Sequence, residues 1–366
     1  MGSVLVLVKI EGNSKNQSPE IIKIKATSNI NEQIEWYKQL IGRVGAEEAQ
    51  EELKRSGLPF TGQTHLLNHE AGEYLYSHEG PAGLVKCRDY LLESCYHGFV
   101  IAAISDKGMS VLGDIMKTCK SEGPAVNMQC AHAIGHALLP WVGYADLPRA
   151  LELCQETAKQ VKDFPSYNCE DGVFMENVYG VHSGEPSPDR WVKLSDPHYP
   201  CDSPKISEKY RRACWGEQSS IMYQYFNGDI KKMGNECLKA PNPSYRDSCF
   251  EGLALIIHPI TEGKADKAFT LCGQLPEGWV SKCLATVAAA GYSTGDRNSP
   301  YEICRNVEEA GKKDCYSEFS GAIALYSNTP EERNRACRRI KEDAWRQQCL
   351  DDNSFFSYTH SPQIPN

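Results

Sequence analysis

The chain reads as all-α, a solenoid of stacked helix–turn–helix repeats with one disulfide per repeat. Three observations lead there: sixteen cysteines, their arrangement in pairs, and the regular step between pairs. Sixteen cysteines are too many for a chain among cytosolic reductants unless they ligate metal. The sequence has no Cys-x-x-Cys knuckle of the kind zinc ribbons use, and no Cys-x-x-Cys-His haem attachment. Disulfides, and so an extracellular, periplasmic or cell-surface location, are the expectation.

The pairs are Cys87/Cys95, Cys119/Cys130, Cys154/Cys169, Cys201/Cys214, Cys237/Cys249, Cys272/Cys283, Cys304/Cys315 and Cys337/Cys349. Successive second members lie 35, 39, 45, 35, 34, 32 and 34 residues apart, the length of a helix–turn–helix unit. The first cysteine tends to close a helical pattern, as in Leu147–Cys154. The second opens another, often with a small residue three positions on, as in Cys95–Gly98, Cys169–Gly172 and Cys249–Gly252. A small residue there lets neighbouring backbones approach closely. Polar, turn-forming stretches such as Pro241–Ser244 lie between the two cysteines. Each disulfide is therefore expected within a repeat, where closing a short loop costs least entropy.

The register extends one unit upstream without cysteine. Gln63–His69 aligns on Cys130–His136 with both histidines superposed, and Gln63 precedes Cys95 by 32 residues. The helix near Asn31–Ser56 supplies the first half of that unit. The repeat domain then runs over 29–353, histidine-rich over 60–180 and histidine-poor over 201–353, with a frayed tail at 354–366. Residues 1–28 are expected as an extended or β segment or tether, from the apolar runs Val4–Val8 and Ile21–Ile24. Met1-Gly2-Ser3 has the look of an artificial start, so a native leader or membrane tether is expected to have been removed.

Composition narrows the function. The net charge is −9, from 48 acidic and 39 basic residues, which argues against a nucleic-acid partner. No apolar run approaches the ~18–20 residues that span a bilayer. Gly-x-Ser-x-Gly and phosphate-binding glycine loops are absent.

Histidine placement is the informative feature. His97 and His132 follow their cysteines by two residues, and His65 takes the same slot in the unit without cysteine. His69 and His136 lie one helical turn further on, so each His-x-x-x-His pair shares a helix face, the spacing of paired metal ligands. The next repeat places Asp171 in the first slot and Glu176 near the second. Beyond Cys201 the first slot holds Gly216, Glu251, Ala285, Ser317 and Asp351, and the pattern dissolves.

The expected metal set is His65, His69, His97, His132, His136 and Asp171. Neutral imidazole suits zinc, copper, iron or nickel, and an accompanying carboxylate points to zinc or non-haem iron, so the expected ion is zinc, copper or iron. His65 and His132 are two repeats apart, which calls for a tight superhelix or for two ions bridged through His97. Glu176, or else Glu70, is the expected general base for a metal-bound water, with Tyr74, Tyr96 and Tyr179 near the same slots. No His-Glu-x-x-His zincin motif occurs. The expected function is that of an extracytoplasmic metal-binding repeat protein, a metal-dependent enzyme or a carrier. The competing reading is a secreted interaction scaffold, with structural histidines and a protein or small-molecule ligand on a concave face.

Overall fold

The computed structural model describes residues 17–58, 62–88, 91, 93–180, 187–327 and 329–351. Among them the regular secondary structure is helical throughout, and all eight disulfides join the two cysteines of one pair, across 8 to 15 residues. The chain divides into two compact units, Met1–Asp106 and Lys107–Asn366.

The first unit contains α1 (Pro19–Ala26), α2 (Ile30–Val44), α3 (Ala46–Arg55), α4 (Gly62–Glu79) and α5 (Ser94–Lys107), with a 3-10 stretch at Gly80–Lys86. One expectation is corrected here: Ile21–Ile24 is not extended but lies in α1. Pro19 at its first turn pre-sets the helical φ, and Ile21 and Ile24, one turn apart, are buried against α2. Val4–Val8 and the tail 354–366 lie outside the described residues. The helix expected over Asn31–Ser56 is two helices, because Gly45 at φ +84° breaks it after α2. Asn29 starts α2 by accepting from the amides of Asn31 and Glu32. A buried polar chain then ties three helices: the Tyr37 hydroxyl donates to Asn68, whose amide donates to Ser94. Every link is satisfied, so the chain fixes the register of α4 against α2 and α5 at little cost.

In the second unit, one helix series carries the second cysteine of each pair: α7 (Pro124–Val142), α9 (Ser166–Tyr179), α10 (Arg211–Glu217), α13 (Pro243–Ile260), α15 (Val280–Ser293), α17 (Glu309–Leu325) and α19 (Asp343–Asp351). From α7 to α17 each packs on the next of the series. The other helices are α6 (Leu112–Glu122), α8 (Leu147–Gln160), α11 (Ser219–Tyr225), α12 (Ile230–Cys237), α14 (Ala265–Cys272), α16 (Ser299–Asn306) and α18 (Pro330–Arg338). Asp146, Asp229, Asn242 and Thr329 cap α8, α12, α13 and α18 through their side chains.

The position of the second cysteine is a further correction. It was expected to open its helix, but Cys130, Cys249, Cys315 and Cys349 each lie six residues beyond the first residue of theirs. The cause is that the polar stretch between the cysteines is itself partly helical, as at Pro124–Gln129 and Asp343–Gln348. Cys349 departs furthest, because it stands only two residues before the end of α19 and so nearly closes that helix. Its bond to Cys337 near the end of α18 nevertheless forms within the pair, with the Cα atoms 5.5 Å apart, and its carbonyl accepts from Arg333 of α18. The long step of 45 residues also has a cause: Cys201 belongs to no helix but to a run of turns between α9 and α10.

The small residues do what their spacing predicts. A Cβ on Gly98 would lie 2.0 Å from the His69 carbonyl oxygen, and one on Gly72 would lie 1.9 Å from that of Cys95. In the second unit the same reciprocal crossing joins α7 and α9, with a Gly135 Cβ 2.0 Å from the Cys169 oxygen and a Gly172 Cβ 2.1 Å from that of His132. Gly252 approaches α10 as closely, a Cβ there lying 1.9 Å from the Gly216 carbonyl oxygen, but from one side only.

Gly98→Ala is expected to destabilise the protein by roughly 2–3 kcal/mol, because backbone rather than a flexible side chain blocks the new methyl. Gly42→Ala, in α2 with nothing within 4 Å of the added Cβ, is expected to gain up to ~1 kcal/mol. Thermal melts of the two variants should move in opposite directions.

Candidate metal centres

In the first unit, α4 presents His65 and His69 one turn apart, and the Gly72–Gly98 crossing brings His97 of α5 against them. The ring centroids are 4.8, 5.1 and 5.5 Å apart. One ligand nitrogen from each of the three lies within 4.8 Å of the others. His69 and His97 are buried and His65 is partly so. His65 Nδ1 lies 2.7 Å from the carbonyl oxygen of Leu91, to which it donates. That bond leaves Nε2 with its lone pair, 3.1 Å from His97 Nδ1. Two nitrogens on one tetrahedral ion, each at about 2.1 Å, stand about 3.4 Å apart, so the spacing fits a shared ion. Leu91 adopts φ +58° to offer its carbonyl, a conformation uncommon outside glycine and asparagine.

In the second unit α7 presents His132 and His136, and α9 presents Asp171 and Glu176. The two Nε2 atoms face each other at 3.2 Å. Behind them, His132 Nδ1 stands 3.3 Å from Asp171 Oδ2, and His136 Nδ1 stands 2.9 Å from Glu176 Oε2. Each carboxylate takes the Nδ1–H and so directs a lone pair forward from Nε2. Two lone pairs at that distance repel unless a cation, a proton or a metal ion, stands between them. Glu176 is 0% exposed, and its other oxygen accepts a short hydrogen bond from the Tyr144 hydroxyl. Burial, and then the Glu176 carboxylate, hold the Tyr144 phenol far above its ordinary value, so it stays a donor. Arg190 donates to the carbonyls of Asn177 and Val178 at the end of α9 and adds positive field near the same network.

All six expected metal residues thus fall into two groups: His65, His69 and His97 in one unit, and His132, His136 and Asp171 in the other. Glu176 reaches its group through His136. Glu70 stands apart, paired with Lys38 at 3.2 Å. Of the tyrosines, Tyr74 stacks on His78 at 3.8 Å, Tyr96 is buried, and Tyr179 bonds Ser220 at 2.7 Å. The cysteines, from Cys87 to Cys349, are all oxidised, and none is left to ligate an ion. The Leu91 carbonyl, Tyr144 and Arg190 escaped the sequence reading. Tyr144 sits in the turn after α7, where no helical spacing connects it to Glu176. A backbone carbonyl leaves no mark in a sequence.

Among the described residues no helix is long and apolar enough to cross a membrane.

Next to this network, Glu170 is buried and accepts from the Gln155 amide. Burial pushes its carboxyl up to about 7. A carboxyl raised on folding binds more protons in the folded state, so its contribution is fully present below about 4.5 and is lost as pH rises through about 7. Glu170→Gln is expected to flatten the fall of stability between those values. At pH 8 it should gain up to roughly 3 kcal/mol in denaturant unfolding. An unchanged pH profile would show that Glu170 titrates normally.

No protein-family model, curated protein or solved structure matches the chain.

Proposed function

We propose that the chain is an extracytoplasmic metal-binding protein built as an α-solenoid of disulfide-closed helical repeats. Its principal centre is formed by His65, His69 and His97. The observation that carries this reading is the convergence of three imidazoles from two helices, with ligand nitrogens within 4.8 Å of one another. Three neutral imidazoles suit zinc, copper or iron, and all sixteen cysteines are spent in disulfides, so thiolate does not compete for the ion. Eight disulfides fit an oxidising compartment outside the cytosol.

His132 and His136 make the second centre through their facing Nε2 atoms. Asp171 and Glu176 support it as positioning residues, each holding an Nδ1–H, a role better matched to a wholly buried Glu176 than that of general base. Tyr144 in turn holds Glu176.

Elemental analysis of the purified full chain tests the proposal. Bound zinc, copper or iron is expected, with one equivalent lost in His65→Ala. Glu176→Gln should keep the fold and weaken the ion at His132 and His136 by roughly 10–100-fold. No metal as purified and none taken up on titration would overturn the reading and leave the interaction scaffold in its place.

A further inference from the structure

Past Cys201 the imidazoles end, but the positions they occupied do not fall silent. In the second unit Asp171 on α9, Glu217 on α10, Glu251 on α13 and Glu318 on α17 sit two or three residues after Cys169, Cys214, Cys249 and Cys315. The helices pack in that order, with α15 between α13 and α17. Thr286, three residues after Cys283, fills the α15 position and donates to the Glu318 carboxylate at 3.1 Å. Gly216 keeps the row open at α10: a Cβ there would meet nothing closer than 3.8 Å and would stand 4.0 Å from an Asp171 carboxylate oxygen.

The row is one electrostatic neighbourhood. Burial raises the carboxyls of Glu217, Glu251 and Glu318, the last to about 7. Asp171 adds to the rise at Glu217 and Glu251, and Glu251 to that at Glu318. Glu251 is nonetheless exposed. A group crowded by protein yet open to water lines a recess rather than a sealed core. The basic groups nearby have other engagements. Arg212 lies over the Tyr167 ring at 4.7 Å and donates to Ser248, and Lys282 pairs with Asp247 at 2.9 Å. Glu217 is the telling member. It is 9% exposed, and among the described residues no hydrogen bond and no basic side chain meets its carboxyl. A carboxyl in that position is held neutral by a proton until a cation reaches it, and a cation that does so meets no competing protein partner.

The shape of the row selects the ligand. Its carboxyls are dealt along successive helices, whereas the tight groups of ligand atoms among the described residues are histidine groups. A single ion is therefore a poor match and a linear polycation a good one. A peptide would bring backbone amides and carbonyls that need partners of their own at the depth of Glu217. Ammonium groups on a bare methylene chain bring none. We propose that the row formed by Asp171, Glu217, Glu251 and Glu318 binds a linear polyamine, its ammonium groups meeting successive carboxylates.

Spermine titrated calorimetrically into the metal-free, oxidised full chain at low ionic strength tests this without reference to the metal centres. Saturable one-to-one binding is expected. It should weaken roughly tenfold in Glu217→Gln and again in a Glu251→Gln/Glu318→Gln double variant, each losing a charge-assisted contact. Glu277→Gln, an exposed carboxylate off the row, should bind as the parent does. The double variant keeps the test open should Glu217→Gln fail to fold. Absence of binding, or equal affinity in all variants, would overturn the proposal. Calcium displacing spermine at equal charge, or a tetralysine peptide binding where spermine does not, would overturn it as well.

Discussion

Everything at the two histidine clusters depends on how closely two backbones can cross. Where α4 meets α5, and where α7 meets α9, a hydrogen replaces a side chain on each helix, and a carbonyl oxygen of the partner occupies the space. Each of these glycines lies three residues after a histidine or a cysteine: His69–Gly72, Cys95–Gly98, His132–Gly135 and Cys169–Gly172. The histidine faces are therefore carried to the crossing itself. Helices held at the ordinary 8–10 Å would present the same imidazoles too far apart to share an ion.

Much of the fold was legible in the sequence, for physical reasons that are local. Cysteine pairing followed from the low entropy of closing a short loop. The close approach of α9 to α7 followed from Gly172, three residues after Cys169, while its counterpart Gly135 lies five residues after Cys130 and outside that spacing. His65 and His69 shared a face because 3.6 residues make a turn. What escaped was non-local or conformational. Ile21–Ile24 looked extended because a short apolar run has no period of its own, and Pro19 decides it as a helix start. Cys349 looked like a helix start because the polar residues before it resemble a loop, yet they form most of α19. Tyr144 reaches Glu176 across a turn. The carboxyl row was passed over because its members drift between the second and third positions after the cysteine, and a fixed slot does not follow them.

The two histidine clusters fix their tautomers differently. Around His65 a backbone carbonyl fixes the tautomer, which costs no charge in a largely buried place. Around His132 and His136 two carboxylates do so, and their negative charge strengthens the imidazoles as donors to an ion. A desolvated Glu176 is tolerable because His136 and Tyr144 occupy both of its oxygens.

The covalent bonds are as local as the packing. No disulfide spans more than 15 residues, so each can close once the short stretch that holds its two cysteines has been synthesised. Maturation can then run in step with synthesis, and no early cysteine has to wait for a distant partner. A protease cut between two disulfide loops would also leave every crosslink intact within its own fragment, so the crosslinks strengthen each loop without joining it to the next.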